Sequence, residues 1–511
     1  MSARIRSVFI SDPVDACCGE LLARHGVPVT VKNKLSKEEL IKELQNHDAL
    51  IVRSETKVTS DVFEGCPNLR VVGRAGTGVD NIDLKAATKK GVIVLNTPGG
   101  NSISACELTC ALISALARNV AQAAGALKEG RWDRKLYSGF ELSDKTLAVL
   151  GMGRIGREVT RRMQAFGMRV IAFDPLLTAE DAKELEVEKL SLEEIWPQAD
   201  YITVHTPLIP QTRNLINATT LAKCKNGVRI VNVARGGIVD EEALLNSIES
   251  GHCGGAALDV FVEEPPKNPV TLKLIAHPKV VATPHLGAST AEAQERVAVE
   301  IAQQFLVLAG KSTEYAVTGI VNAPMLAGAM TEENTPWIEL SKKLGQMAVR
   351  LSTDKSKFVL KSETIGSGMK EKAFIHTAVL VGALSAQTKN GLNLINAPLL
   401  AQEIGIDLQE SHQEAEIKAV AIEVEGHRVK GTVRNNELLL LSLDDAVFAN
   451  GIALGNYVAL YQANGVQDLA QIVNAFSTKG INIHNLSASG NWIIIQTDRE
   501  VSVNVDGIKN F

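Results

Sequence analysis

The stretch that most constrains this chain runs from Lys145 to Asp174, KTLAVLGMGRIGREVTRRMQAFGMRVIAFD. Thr146 to Leu150 is a short apolar run of strand type. It leads into Gly151-x-Gly153-x-x-Gly156, which opens a helical segment ending near Gly167. In that context a glycine triplet is a fingerprint rather than a chance match. Gly151 permits a tight turn, Gly153 lets the backbone approach a pyrophosphate, and Gly156 lets the helix lie close to the strand; the helix amides then receive phosphate charge. The next strand, Arg169 to Phe173, ends at Asp174, about twenty residues beyond the glycines, where an acid hydrogen-bonds a ribose 2′-hydroxyl. A carboxylate there repels a 2′-phosphate, so the motif points to NAD rather than NADP. An ordinary βαβ unit with glycines for packing is the alternative.

A chain of 511 residues is too long for one core and predicts roughly three or four domains. With 53 basic and 58 acidic side chains the net charge is −5, which implies neither a nucleic acid nor an anionic membrane as partner. Aromatics are only 4% against 45% apolar residues, so the core is expected to be aliphatic, as in buried parallel strands. Seven cysteines form no paired set with zinc spacing, and no metal is expected. Cys106 and Cys110 read as helix thiols. The odd count, the absence of an apolar leader and the absence of a membrane-spanning run predict a reduced, soluble, cytoplasmic protein.

From residue 5 to 97, apolar strands (Arg6–Ser11, Pro28–Lys32, Ala49–Arg53, Leu69–Gly73, Val92–Asn96) alternate with helices such as Lys37–Gln45, predicting a small parallel α/β domain. Two strands end at arginines beside turns: Arg53 before Ser54, and Arg74 before Ala75-Gly76-Thr77-Gly78. Ligands gather at the carboxyl ends of parallel strands, so a phosphate or carboxylate is expected there, solvated loop arginines being the alternative. Pro98-Gly99-Gly100-Asn101-Ser102 reads as a hinge before a helix from Ile103 to Leu116. Residues 128–145 form a long polar connection carrying Trp132 and Tyr137, expected to be a dimer arm because exposed aromatics need cover.

After the fingerprint, the strands Ala199–His205, Val228–Val233 and Gly255–Asp259 each end in polar sequence, His205-Thr206-Pro207, Ala234-Arg235-Gly236-Gly237 and Asp259-Val260-Phe261, and Val280-Val281-Ala282-Thr283-Pro284-His285 supplies a further strand with His285 just after its end. A helix from Thr290 to Leu308 is expected to return to the first domain, and residues 311–336 read as a linker. Helices near 337–352 and 371–388 precede strand-rich sequence from Ile417 to Phe448, with a hairpin at Val424–Val429. Asn322-Ala323-Pro324 and Asn396-Ala397-Pro398 are explained by Asn at an N-cap with Pro early in a helix. The tail from Asn456 reads strand, helix, strand, strand, with no second helix or last strand evident.

Oxidising a carbinol requires a base for the hydroxyl proton beside the hydride acceptor. His285 can serve, with the acid Glu264 to orient it and Arg235 to take a carboxylate. A core histidine, a loop charge and a solvated base are the respective alternatives.

These motifs, Gly151-x-Gly153-x-x-Gly156 with Asp174, VARGG at 233–237, Asp259-Val260-Phe261 with Glu264-Pro265, and Pro284-His285-Leu286-Gly287, together resemble the D-2-hydroxyacid dehydrogenases. VRSETKV, GRAGTGVDNID, NTPGGNS and EEIWPQADYITVHTPL are similar to the members that oxidise 3-phosphoglycerate. The resemblance implies that Arg235, Glu264 and His285 are catalytic. It implies cofactor contacts at Thr77, Arg154, Ile155, Asp174, Thr206, Val233 and Asp259. It also implies substrate contacts at Arg53, Ser54, Arg74 and Gly76, with Arg134 reaching a partner subunit, and a homodimer or homotetramer. The expected fold is α/β: a Rossmann-type doubly wound parallel sheet over 99–286, and a second, flavodoxin-like α/β substrate domain over 1–98 and 287–316. C-terminal α+β domains of regulatory type follow, an intervening one over 317–453 and a degenerate or truncated ACT-like one over 454–511. The family's serine-sensing module carries a histidine ahead of a Pro-Gly-Val turn, where this chain has Leu460 and Asn464 before Gly465-Val466, so its serine response is not expected to carry over. A glyoxylate or hydroxypyruvate reductase, or an NAD-sensing corepressor, are the competing readings. The first does not need two phosphate-reading arginines, and the second ends in a disordered tail.

Overall fold

A computed structural model describes residues 5–326, 329, 331–352, 357–388, 391–455, 457–463, 466–499 and 508–510. The chain forms two compact units, Met1–Asn96 with Ile301–Phe511, and Thr97–Glu300.

In the first unit, β1 (Val8–Ile10), β2 (Val29–Val31), β3 (Ala49–Val52), β4 (Val71–Arg74) and β5 (Ile93–Leu95) make a parallel sheet in the order β2-β1-β3-β4-β5. Continuous apolar runs form it because both faces are covered. Phe9, Leu50, Val52, Val72 and Val94 pack on one face with Leu40, Leu44, Val62 and Phe63 from flanking helices. Strand order reverses between β1 and β3, so Asp12 and Arg53 follow the strands that flank the switch point where ligands settle in such sheets.

The second unit holds seven parallel strands in the order β12-β11-β10-β9-β6-β7-β8. These are β6 (Thr146–Leu150), β7 (Arg169–Phe173), β8 (Glu188–Lys189), β9 (Tyr201–Val204), β10 (Val228–Asn232), β11 (Cys253–Leu258) and β12 (Val280–Ala282). Alternate residues serve opposite faces. Ala148, Leu150, Ile202, Val204 and Ile230 join one core, and Leu147, Val149, Tyr201 and Val231 the other. That two-sided burial is the reason these strands read as unbroken apolar runs. The doubly wound switch point lies between β6 and β9.

The remaining strands of the first unit form two further sheets. A six-stranded sheet, in the order β14-β13-β15-β16-β17-β18, contains β13 (Val359–Ile365), β14 (Asp407–Gln413), β15 (Ala419–Val424), β16 (His427–Arg434), β17 (Glu437–Leu443) and β18 (Ala446–Ala453). It is antiparallel except for the β13–β14 pair. The hairpin expected at Val424–Val429 is the β15–β16 turn. Strand structure begins earlier than Ile417, however, with β13 and β14, of which β14 is a polar edge strand, DLQESHQ, without apolar alternation. Here the helices are Thr335–Leu351, Phe374–Leu384 and Ala397–Ile404.

The second Asn-Ala-Pro opens a helix at Ala397, but the first precedes only a short 3-10 turn, Pro324–Leu326. Asn322 instead uses its amide against the sheet, accepting from Val94 N (2.9 Å) and donating to Val92 O (2.9 Å). The last sheet is antiparallel, β20-β21-β19-β22, with a helix over Val466–Thr478. Its strands are β19 (Val458–Gln462), β20 (Ile483–Ser489), β21 (Trp492–Thr497) and β22 (Ile508–Asn510). The tail therefore has a fourth strand that its sequence did not reveal, since three residues are too few to carry an alternation. Leu460 is buried in β19, while Asn464 and Gly465 lie outside the described residues.

Among the described residues no single helix is long and apolar enough to cross a membrane, and no three metal-ligating side chains converge.

Candidate active site

The glycine turn is built as its three positions require. Gly151 has φ +102°, and a side chain there would meet the His205 carbonyl of the neighbouring strand end at 2.7 Å. A Cβ on Gly156 would overlap the Gly151 carbonyl, so only glycine lets the helix Arg154–Ala165 start this close to the turn. A Cβ on Gly153 would meet nothing within 4 Å. That open side is where backbone amides can approach a phosphate, and no side chain caps this helix N-terminus. Ile155 packs against the core and exposed Arg154 donates to Pro98 O (3.2 Å). Asp174 follows β7 and accepts the Met152 amide (2.7 Å) and the Leu176 amide (2.8 Å), which fixes its carboxylate beside the glycine turn.

The ends of β9, β10 and β11 supply further groups. His205 hydrogen-bonds Thr203 Oγ1 (3.0 Å), and burial pushes its pKa down to about 4, which makes it a neutral structural imidazole. Next to it, Thr206 Oγ1 is buried without a hydrogen-bond partner among the described residues. A buried hydroxyl left alone is costly, and a polar ligand group in this crevice would satisfy it. The donors, the open glycine and this hydroxyl all suit a dinucleotide.

Buried Asn232 shapes the turn after β10, donating to Arg235 O (2.8 Å) and accepting from Ala234 N (3.0 Å), between which Val233 is buried. A Cβ on Gly236 would overlap the Phe261 carbonyl, so this turn presses on the one after β11. Asp259 is fully buried. Its carboxylate accepts from Thr283 Oγ1 (2.6 Å), Leu286 N (2.7 Å) and Gly287 N (2.9 Å). Those bonds pin the 283–287 turn, in which His285 takes a left-handed φ of +55° and offers its own amide to the Asp259 carbonyl (2.9 Å). Asn232 and the buried Asp259 carboxylate thus position the two turns. Sequence reasoning passed over Asn232, whose only signal was a polar residue closing an apolar strand.

His285 and Glu264 meet. Nδ1 of His285 lies 2.6 Å from Glu264 Oε2, while Oε1 accepts the Phe261 amide at 3.0 Å. The two side chains are 46% and 35% exposed, so this is a solvent-reachable imidazole rather than a core histidine. Burial alone would raise the Glu264 carboxyl. The hydrogen bonds from His285 and Phe261, with the charges of His285 and Arg235, outweigh it and bring the carboxyl below its ordinary value. Glu264 is therefore an ionised acceptor, the ring nitrogen facing it is a donor, and Nε2 is left for proton transfer. Arg235 donates to Ala234 O (2.7 Å) and contributes its charge to Glu264.

Within the first unit, Arg53 and Arg74 stand at the carboxyl ends of the adjacent strands β3 and β4, with exposed Ser54 and half-buried Gly76 and Thr77 in the following turns. Arg53 Nε is buried and finds no partner among the described residues. Burial holds its pKa below the ordinary value, against the charges of Asp12 and Glu55. An anion would supply the missing acceptor. Asp12 fixes the turn from below, accepting from Arg53 N (2.6 Å), Thr56 N (3.1 Å) and the Thr56 hydroxyl. Arg74 is mostly buried and its Nη1 donates to Asn81 Oδ1 (2.8 Å). Arg134 is exposed in the loop beyond the helix Val120–Lys128, near Trp132, which is 75% exposed, whereas Tyr137 is half-buried.

Residues 110–287 match the family model for the NAD binding domain of D-isomer specific 2-hydroxyacid dehydrogenases, and residues 333–439 that for the D-3-phosphoglycerate dehydrogenase intervening domain. A Homo sapiens protein named D-3-phosphoglycerate dehydrogenase is 48% identical over 464 residues, covering 88% of this chain and 86% of its own length. A Bacillus subtilis protein of the same name is 43% identical over 410 residues, covering 80% of this chain and 76% of its own. Among solved structures, the D-lactate dehydrogenase of Aquifex aeolicus, complexed with NAD and lactic acid, superimposes with a TM-score of 0.52 at 28% identity, covering 58% of this chain and 93% of its own. Likeness at that level over both units and the intervening region settles the kinship: the chain belongs to the D-3-phosphoglycerate dehydrogenase family, within the D-2-hydroxyacid dehydrogenases.

Proposed function

We propose that this protein catalyses the NAD-dependent oxidation of 3-phosphoglycerate to 3-phosphohydroxypyruvate, the entry to the phosphorylated route of serine synthesis. NAD, when bound, supplies the hydride acceptor. The glycine turn with Arg154 and Ile155 holds its pyrophosphate, Asp174 its ribose hydroxyl, and Thr77, Thr206, Val233 and Asp259 complete its contacts. His285 takes the hydroxyl proton at Nε2, and Glu264 stabilises the resulting imidazolium through Nδ1. Arg235 binds the substrate carboxylate and steadies negative charge on the reacting oxygen. Arg53 and Arg74, with Ser54 and Gly76, take the phosphate.

We further propose the domain division 1–98 with 287–316, 99–286, 317–453 and 454–511. The exposed Trp132 supports a homodimer or homotetramer in which that loop is covered and Arg134 serves the partner's substrate. A cytoplasmic location accords with seven free cysteines.

The observation that carries the substrate assignment is the buried Nε of Arg53, without a hydrogen-bond partner among the described residues, beside a second arginine on the next strand. A charge-assisted contact is worth roughly 1.5–3 kcal/mol, so Arg53→Ala should cost about ten- to a hundredfold in kcat/KM on 3-phosphoglycerate while sparing D-glycerate, which lacks the phosphate. Equal losses on both acids, or a wild-type protein that prefers the unphosphorylated one, would overturn the assignment.

A further inference from the structure

Asn81 touches the structure around both phosphate-side arginines at once. Its Oδ1 accepts from Arg74 Nη1 at 2.8 Å, and its Nδ2 donates to Arg53 O at 2.7 Å and to Thr56 O at 2.6 Å. The amide can stand only this way round. Flipped, it would set Oδ1 against two carbonyls and its NH2 against a guanidinium. Its own backbone is anchored, because Asn81 O accepts the Val58 amide (2.8 Å) and Val58 bridges Ile82 as a parallel pair. Asp12 grips the 53–56 turn from the β1 side and Asn81 from the β4 side. Arg74 also pairs with Asp80 at 3.6 Å, and because that carboxylate is 60% exposed, screening weakens this ion pair.

We infer that Asn81 is a positioning residue: one side-chain amide locks the guanidinium of Arg74 to the turn that presents Arg53, so that the pair meets a phosphate already oriented. This rests on the reading of Arg53 and Arg74 as phosphate ligands. Arginine has many rotamers, and an arginine held beforehand loses less freedom on binding than one that must be ordered by its ligand. Without Asn81, the cost of ordering Arg74 falls on substrate binding. The effect therefore belongs in KM for phosphorylated substrates and not in the chemical step.

The test is a double-mutant cycle on the full-length protein, with Asn81→Ala, Arg74→Ala and the pair. Steady-state kinetics are taken on 3-phosphoglycerate and on D-glycerate, and coupling of the two sites in denaturant unfolding is read alongside. Asn81→Ala should raise KM for 3-phosphoglycerate about three- to tenfold with little change in kcat, spare D-glycerate, and have a smaller effect once Arg74 is gone. Asn81→Asp keeps an oxygen facing Arg74 but places a charge where it competes with the phosphate, so its KM should rise at least as far. Equal losses on both substrates, an undiminished effect in the Arg74→Ala background, or a lower KM in Asn81→Asp would each overturn the inference. If Arg74→Ala is phosphate-selective and Asn81→Ala is not, the tether alone fails. If Arg74→Ala does not distinguish the two acids although unfolding shows coupling, the phosphate reading fails and this inference with it.

Discussion

Replacing Glu264 by Gln isolates the charge beside His285 while keeping the shape of the site. Oε1 accepts the Phe261 amide at 3.0 Å, and a glutamine carbonyl can keep that bond and so hold the 261–264 turn. What is lost is the charge-assisted bond at the 2.6 Å contact with Nδ1, because glutamine has one oxygen and its NH2 then takes the place of Oε2. Charges about 4 Å apart at an effective dielectric near 20 attract by about 4 kcal/mol, an upper bound here. The side chains are 35% and 46% exposed, and water screens much of that attraction. A loss of about 1.5–3 kcal/mol is the reasonable net, the worth of a hydrogen bond to a charged group. Because the Glu264 carboxyl sits below its ordinary value, it stays ionised throughout the range in which an imidazole titrates. The plateau of kcat/KM for 3-phosphoglycerate oxidation should therefore fall about ten- to a hundredfold, the more so because an NH2 facing Nδ1 favours the wrong tautomer. The assay is a pH profile of both variants with matched denaturant unfolding. An unchanged plateau in a variant that unfolds like the wild type would refute the pairing of Glu264 with His285 as a source of rate.

Asp174→Ala removes both the ribose acceptor and the repulsion of a 2′-phosphate, so the ratio of kcat/KM with NAD to that with NADP should fall. Both cofactors should weaken somewhat because the Met152 amide loses its acceptor, and a ratio that does not change would exclude Asp174 as the ribose ligand. Gly236→Ala drives a methyl into the Phe261 carbonyl and must separate the turns carrying Arg235 and Glu264. Overpacking of this kind costs about 1–3 kcal/mol, so turnover should drop about ten- to a hundredfold while the Kd for NAD, measured by fluorescence titration, changes much less. Wild-type turnover in this variant would mean that the two turns move independently.

Much of the site could be read before any fold was known, because its elements are local. A glycine triplet between a strand and a helix has few other uses, and Asp174 falls at the next strand end by chain length alone. Arg53, Arg74, Arg235 and His285 were legible as polar residues ending apolar runs, since parallel strands present their carboxyl ends to ligands. The two α/β sheets followed from unbroken Val, Ile, Leu and Ala runs, which only two-sided burial explains. The polar edge strand β14 and the three-residue β22 were not legible, because pairing with a partner strand creates them and their own side chains carry no periodicity.

What only the tertiary structure decided is how those groups are held. Asp259 reaches 24 to 28 residues along the chain to set the turn that puts His285 at positive φ. Glu264 lies 21 residues before the imidazole it faces, and Asn81 joins carbonyls 28 and 25 residues behind it to a guanidinium 7 residues away. Local propensity acts over a turn or two of chain, whereas a hydrogen bond is specified to tenths of an ångström by whichever strands the core brings side by side. The residue types that can carry the chemistry are therefore written along the sequence, and their orientation arises only when the sheets close.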